Sequence, residues 1–226
     1  MPDSNSIARR AVLWDLDGTL VDSEPYHWQA WRETMAAEGF ELTWEQFSAT
    51  FGQRNDWVLR GFRGPDLPEV EIQRIGSAKE SCYRELVRAG GLEFLPGVPR
   101  LLDYLQAAGW GQALATSAPR ANVDAVLEAL NAAPYFKAIV TGEDVERGKP
   151  DPQVFLTAAA RLSTPAPRCV VVEDSPAGIE GACRASMGAI AVGRRTGGLQ
   201  AGYVVRTLDE LPLDAFERLI GDLRPR

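Results

Sequence analysis

Two carboxylates, Asp15 and Asp17, stand two residues apart at the end of the apolar run Ala11-Val12-Leu13-Trp14, and Gly18 turns the chain away after them. Other polar residues hold comparable places further on. Thr116 and Ser117 follow the run at Gly111, Lys149 lies in Gly148-Lys149-Pro150-Asp151-Pro152, and Glu173 and Asp174 follow Cys169 to Val172. Carboxylates from two such places can hold a hard divalent cation such as Mg²⁺, which takes few protein oxygens and leaves positions for water and a phosphate. A hydroxyl, a lysine and the cation then surround that phosphate, as phosphoryl transfer requires when charge spreads over its equatorial oxygens. One carboxylate attacks phosphorus while another exchanges a proton with the leaving group and with water, and Asp15 and Asp17 can share those tasks. Asp15, beside the cation, is expected to stay ionised, and Asp17, turned toward the leaving group, to carry the proton.

These residues must be brought together by the elements that carry them. Each follows a short apolar run of the kind buried parallel strands show, and in an open α/β sheet the carboxyl ends of the strands form the ligand crevice. Strands are expected at Gly111 to Ala115, Ala138 to Thr141, Cys169 to Val172, Ala189 to Val192 and Tyr203 to Val205, after the opening one at Ala11. Helices at Pro119 to Leu130, Asp151 to Leu162 and Ser175 to Ala185 fill gaps between them. Ser117 is expected to cap the first of these helices, and Ser175-Pro176 to start the last. Gly178, Gly181 and Ala182 form a small face on that last helix, suited to close packing. The alternation predicts an α/β fold, a Rossmann-like doubly wound parallel sheet with right-handed crossovers.

Between the first strand and this alternating region the chain reads as helix. Trp28, Trp31 and Met35 recur on one helical face, shorter helices are expected around Trp44 to Thr50 and Asn55 to Phe62, and a longer one over Pro68 to Arg88. Trp28, Trp31, Trp44 and Trp57 suffice for a small separate core. The expected organisation is therefore a core of residues 1–21 and 94–226 with an inserted helical cap of residues 22–93.

Lys plus Arg number 24 against 31 Asp plus Glu, a net charge of −7, which argues against nucleic acid or an anionic membrane as the main partner. Three cysteines without paired spacing read as reduced thiols, Cys169 among them as core. The polar Met1–Arg10 and an apolar run cut short by Asp15 contain neither a signal segment nor a membrane span, so the expected location is cytoplasmic. No feature demands more than a monomer.

Asp15-Leu16-Asp17-Gly18-Thr19, Thr116 with Ser117, Lys149-Pro150 and Glu173-Asp174 resemble, in order and approximate spacing, the four motifs of the haloacid dehalogenase superfamily. The match covers essentially the whole chain, and the helical insertion resembles the C1 cap of the beta-phosphoglucomutase-like phosphatase branch. The resemblance implies Asp15 as nucleophile, Asp17 as general acid and base, Thr116 as phosphate ligand with Ser117 beside it, and Lys149 as balancing cation. It implies Mg²⁺ held by Asp15, the backbone carbonyl of Asp17, and Asp174, with Glu173 close by. Dehalogenases similar to this fold lack an acid at the position of Asp17, which points away from dehalogenation.

In the cap, His27 lies in a segment similar to one of beta-phosphoglucomutase where a histidine helps position the acid/base aspartate. Arg54 and Lys79 fall where that family keeps substrate-contacting cations. These residues favour a sugar phosphomutase. Against it, Ala118-Pro119-Arg120 replaces a Ser-Lys-Asn stretch that holds the non-transferred phosphate in the mutase, leaving Arg120 or Arg54 to compensate. The expected function is a Mg²⁺-dependent phosphatase acting on small phosphorylated metabolites, sugar phosphates above all, through an aspartyl-phosphate. The alternative is a mutase. A third reading, a catalytically silent phosphometabolite-binding protein, is opposed by the presence of both motif aspartates.

Overall fold

The computed structural model describes residues 10–50, 53–193, 196 and 198–221. Most of the polar N-terminal stretch read above thus lies outside the described residues. The chain forms two compact units, Ser23–Leu92 and the chain on either side of it. β1 (Ala11–Trp14) opens the outer unit, and the inserted unit holds α1 (Glu24–Ala37), α2 (Trp44–Ser48), α3 (Asn55–Arg63) and α4 (Glu69–Ala89). The outer unit then resumes with α5 (Val98–Ala107), β2 (Gly111–Ala115), α6 (Arg120–Leu130), β3 (Ala138–Val140), α7 (Gln153–Arg161) and β4 (Cys169–Glu173). It ends with α8 (Pro176–Arg184), β5 (Gly188–Val192), β6 (Tyr203–Val205) and α9 (Ala215–Gly221).

All strand pairings are parallel, in the order β3-β2-β1-β4-β5-β6. β1 and β4 are buried at every residue, which is why they read as continuous apolar runs instead of alternating ones. One face, carrying Ala11, Leu13, Ala113 and Val171, packs on Phe155 and Ala158 of α7 and on Ile179 and Ala182 of α8. On the other, the Trp14 indole N–H donates to Gln112 Oε1 at 3.1 Å, and Gln112 Nε2 donates to the Leu102 carbonyl of α5 at 3.1 Å. The Trp14 ring also meets Phe216 of α9, 6.4 Å between centroids. Helices on both faces make the sheet doubly wound, as its sequence pattern predicts. The sequence pattern does not predict α9, because no periodic run as long as the others announces it.

The inserted unit has its own core of Trp31, Met35, Leu42, Phe47, Val58, Leu59, Ile72 and Ile75. Its tryptophans divide. Trp31 is buried and Trp28 packs partly against the cluster, but Trp44 and Trp57 are 44% and 57% exposed. α2 is a single turn held by a Thr43–Gln46 capping box and turns only Phe47 inward, and α3 buries Val58 and Leu59, leaving Trp57 on its open side.

The three cysteines are free. Burial pushes the Cys169 thiol up to about 12 and, together with a hydrogen bond to Glu33, that of Cys82 to about 11, so both are poor nucleophiles. Among the described residues, no helix is long and apolar enough to cross a membrane.

Candidate active site

β1 lies between β2 and β4, and the chain fills the sheet in one direction from β1 through β3 and in the other from β4 through β6. The strand order therefore reverses at β1, and the crevice at its carboxyl end is where ligands bind in open α/β sheets. Asp15 occupies that end. Its backbone N–H donates to the Val172 carbonyl at 3.0 Å, extending the ladder with β4 by one residue. The loop beyond is tight, with Gly18 N–H donating to the Val21 carbonyl at 2.8 Å and Leu20 N–H to Leu16 at 2.9 Å. Gly18 has φ +79°, and a Cβ there would lie 2.2 Å from Asp174 Oδ2, so both the backbone and the neighbouring carboxylate require glycine.

Lys149 closes the constellation. Its Nζ donates to Asp15 Oδ1 at 2.5 Å and to Glu173 Oε1 at 2.7 Å, with side chains 7%, 9% and 1% exposed respectively. The ammonium also lies 5.2 Å from the Phe155 ring centroid. Glu173 Oε2 accepts from the Ser175 N–H at 2.6 Å. Asp15, Glu173 and Asp174 each offer an oxygen within 4.8 Å of the others. Three carboxylates thus cluster around one ammonium that contacts two of them, and full ionisation would leave two negative charges in a largely desolvated place.

The ionisation of these groups follows from that imbalance. Burial pushes the Asp15 carboxyl well above the usual range; Lys149 pulls it down, but Glu173 and Asp174 push the same way as burial. Asp174 rises to about 7, chiefly through burial, with Glu173 and Asp17 adding to it. Burial lowers the Lys149 ammonium, yet Asp15 and Glu173 outweigh burial and its net shift is upward, so it stays charged. A cluster of hard carboxylate oxygens that resists full ionisation on its own suits a small divalent cation such as Mg²⁺, which would hold the carboxylates in their charged form.

Thr116 stands at the end of β2, beside β1. It is buried; its N–H donates to the Val140 carbonyl at 3.0 Å, and its hydroxyl accepts from the Ala118 N–H at 3.1 Å. Ser117 is exposed and does not cap α6. That expectation fails because the helix starts later, at Arg120 after Pro119, and its first N–H is taken by Glu143 Oε1 at 3.1 Å. Glu143 comes from a loop 23 residues away, so no local signal marks it. Ser175 does cap α8, accepting from Gly178 N–H at 3.0 Å.

Arg120 turns its guanidinium to Asp124 at 2.8 Å and is half exposed. In the inserted unit Arg54, exposed, pairs with Asp56 at 3.1 Å. His27 and Lys79 come together: Lys79 Nζ lies 3.0 Å from His27 Nδ1 and 3.0 Å from Glu80 Oε1, and His27 stacks on Tyr83 with centroids 4.1 Å apart. Asn55 Nδ2 donates to the same Glu80 oxygen at 2.8 Å. Lys79 is only 3% exposed, which no helical periodicity predicted for a lysine.

A doubly wound parallel sheet whose switch point gathers acids and a lysine from three separate segments defines a Rossmann-like α/β core, here with an inserted helical unit. The chain belongs to the haloacid dehalogenase-like hydrolase family, whose model matches residues 12–192, and within it to the beta-phosphoglucomutase-like branch. It is 32% identical over 216 residues to a beta-phosphoglucomutase of Bacillus subtilis, covering 91% of this chain and 92% of that protein. It is 31% identical over 176 residues to a phosphorylated carbohydrates phosphatase of Thermotoga maritima, covering 76% and 79%. A crystal structure of CbbY from Rhodobacter sphaeroides in complex with phosphate is similar at a TM-score of 0.83 and 28% identity, covering 92% of this chain and 99% of that one.

Proposed function

We propose that this phosphoric monoester hydrolase is a Mg²⁺-dependent phosphatase of small sugar phosphates that works through an aspartyl-phosphate on Asp15. The observation that carries the reading is the buried Lys149 ammonium, 2.5 Å from Asp15 Oδ1 and 2.7 Å from Glu173 Oε1 at the sheet's switch point. Asp15 and Asp174, with the backbone carbonyl of Asp17 and with Glu173 beside them, would hold Mg²⁺. The bound cation supplies charge neutralisation for the phosphate and the carboxylates around it.

In the first step an Asp15 carboxylate oxygen attacks phosphorus, the bond to the sugar oxygen breaks, and that oxygen leaves with the electron pair and takes a proton from the Asp17 carboxyl. In the second, water attacks the phosphorus of the aspartyl-phosphate, Asp17 takes its proton, and the Asp15 carboxylate is released with inorganic phosphate. Lys149 holds Asp15 in place and faces the charge that develops on the phosphoryl oxygens, while Thr116 and Ser117 donate to them from the neighbouring strand end. The sugar-phosphate class is supported by the phosphorylated carbohydrates phosphatase and the beta-phosphoglucomutase among the relatives. The mutase alternative is not favoured: Arg120 and Arg54, the cations that would replace its missing anchor, are engaged with Asp124 and Asp56.

The test is a parallel assay of phosphate release and isomerisation over hexose, pentose and polyol phosphates, with Mg²⁺ and with chelator, including beta-glucose 1-phosphate primed with its bisphosphate. Stoichiometric phosphate that needs Mg²⁺ and vanishes in Asp15→Asn supports the reading. Conversion to glucose 6-phosphate with little free phosphate refutes it.

A further inference from the structure

Gly178 and Gly181 lie on one face of α8, but what they make room for differs. A Cβ at Gly181 would meet Phe155 Cε2 at 3.0 Å, an ordinary case of close helix packing. A Cβ at Gly178 would lie 1.9 Å from both Cδ and Oε1 of Glu173, and 2.5 Å from its Cγ. The volume left empty on the first turn of α8 is thus filled by a carboxylate of the active site. Backbone conformation does not demand glycine there, since Gly178 is absent from the residues of positive φ. Helix propensity speaks against it, alanine being the better helix former.

Glu173 is held in place by its partners. Its side chain is 1% exposed, Oε1 accepts from Lys149 and Oε2 from the Ser175 N–H, so both oxygens are engaged by the chain's own donors. Restoring an ordinary 3.4 Å contact to a new Cβ means moving the carboxylate by about 1.5 Å, which would break a 2.7 Å hydrogen bond to Lys149. Lys149 would then follow Glu173 away from Asp15 or lose it as a partner.

We propose that Gly178 is a positioning residue of the active site: its missing side chain is the seat of the Glu173 carboxylate, and through Glu173 it fixes the Lys149 ammonium on Asp15. The proposal rests on the phosphatase reading for its kinetic consequence, and on geometry alone for the coupling between Gly178 and Glu173. Aspartate at position 173 is one methylene shorter and would set its carboxyl carbon near the present Glu173 Cγ, 2.5 Å from the new Cβ in place of 1.9 Å, which relieves part of the clash.

The experiment compares Gly178→Ala, Glu173→Asp and the double variant with the unmodified enzyme and Asp15→Asn. Phosphate release is measured with Mg²⁺, and melting temperature is measured in chelator. Gly178→Ala is expected to lower kcat about 10²-fold with KM changed much less, the loss that a misplacement of about 1 Å produces. Glu173→Asp alone lowers kcat by drawing the carboxylate off Lys149, so adding Gly178→Ala to it lowers kcat by less than about threefold further, the two losses failing to add. Melting temperatures show the same pattern, with Gly178→Ala below the unmodified protein despite the gain in helix propensity and the double variant close to Glu173→Asp. Should Gly178→Ala fail to fold, recovery of folding in the double variant supports the coupling and its absence overturns it. A Gly178→Ala enzyme within about threefold of the original overturns the proposal, as does a double variant in which the two losses add in both readouts. If the unmodified enzyme releases no phosphate, the functional reading fails, and the metal-free melting series still decides the coupling.

Discussion

Replacing Lys149 by methionine removes the one cation from a cluster of three carboxylates while keeping most of the side-chain volume. At an effective dielectric near 20, each of its two contacts, at 2.5 and 2.7 Å, carries roughly 6 kcal/mol of attraction before desolvation is charged against it. Deleting one partner of such a buried arrangement costs about 3–5 kcal/mol, because the remaining charges stay buried without compensation. The carboxylates can escape part of that cost by taking up protons. Lys149 is what lowers the Asp15 carboxyl against burial and against Glu173 and Asp174, so its loss pushes Asp15 further up and neutralises the nucleophile. Losing one charge-stabilising group at the phosphoryl oxygens costs on the order of 10²–10³ in kcat, and each further unit by which Asp15 rises past the assay pH costs about tenfold more. The expected fall in kcat/KM at pH 7 is at least about 10³-fold. Phosphate release followed from pH 5 to 9 is the assay. Activity requires the ionised carboxylate, so the acid limb of the variant must lie at higher pH than that of the unmodified enzyme, with part of the loss recovered at pH 9. A Lys149→Met enzyme within tenfold of the original, or one whose acid limb has not moved, refutes the reasoning about the clamp.

Other consequences are open to simpler measurements. Gln112→Leu leaves the buried Trp14 indole N–H without its acceptor and takes the side-chain donor from the Leu102 carbonyl of α5, and is expected to cost roughly 1–3 kcal/mol, read as a lower denaturant midpoint with unchanged slope. Asp144 is held down at about 2 by the Arg161 guanidinium, and by the N–H and hydroxyl of Thr141, against an ordinary 3.8. A carboxyl lowered by folding stabilises above its unfolded value, and that contribution is lost as pH falls through about 4 toward 2. Because Arg161 is 41% exposed, the contribution is discounted to about 1 kcal/mol. Asp144→Asn should therefore melt below the unmodified protein at pH 7, with the gap narrowing as pH falls below about 4 and closing only below about 2; a gap that does not narrow over that range contradicts the assignment.

What could be read from the one-dimensional string is what depends on neighbours in sequence. A buried parallel strand must be apolar throughout, and a polar residue directly after it can only stand at the strand's end. For that reason the sequence places Asp15, Thr116, Glu173 and Asp174 at one edge of one sheet, while Lys149, in the connection after the third strand, joins them through the order of the motifs. The Ser175 cap was legible on the same local grounds, and the family likeness followed from the order of these motifs. What needed the tertiary structure is what depends on residues far apart in the chain. The pairing of Lys149 with Asp15 spans 134 residues, and a salt bridge of that separation leaves no periodic trace. Ser117 looked like a cap, yet Glu143 from another loop reached the α6 N-terminus. Trp44 and Trp57 looked like core because tryptophan is apolar, but which side of a short helix faces inward is set by the elements packed against it. Gly178 looked like a packing glycine, and only the folded chain reveals that its neighbour is the carboxylate of Glu173. Sequence determines which side chains a strand or helix can present; the meeting of those elements in space decides what each one touches.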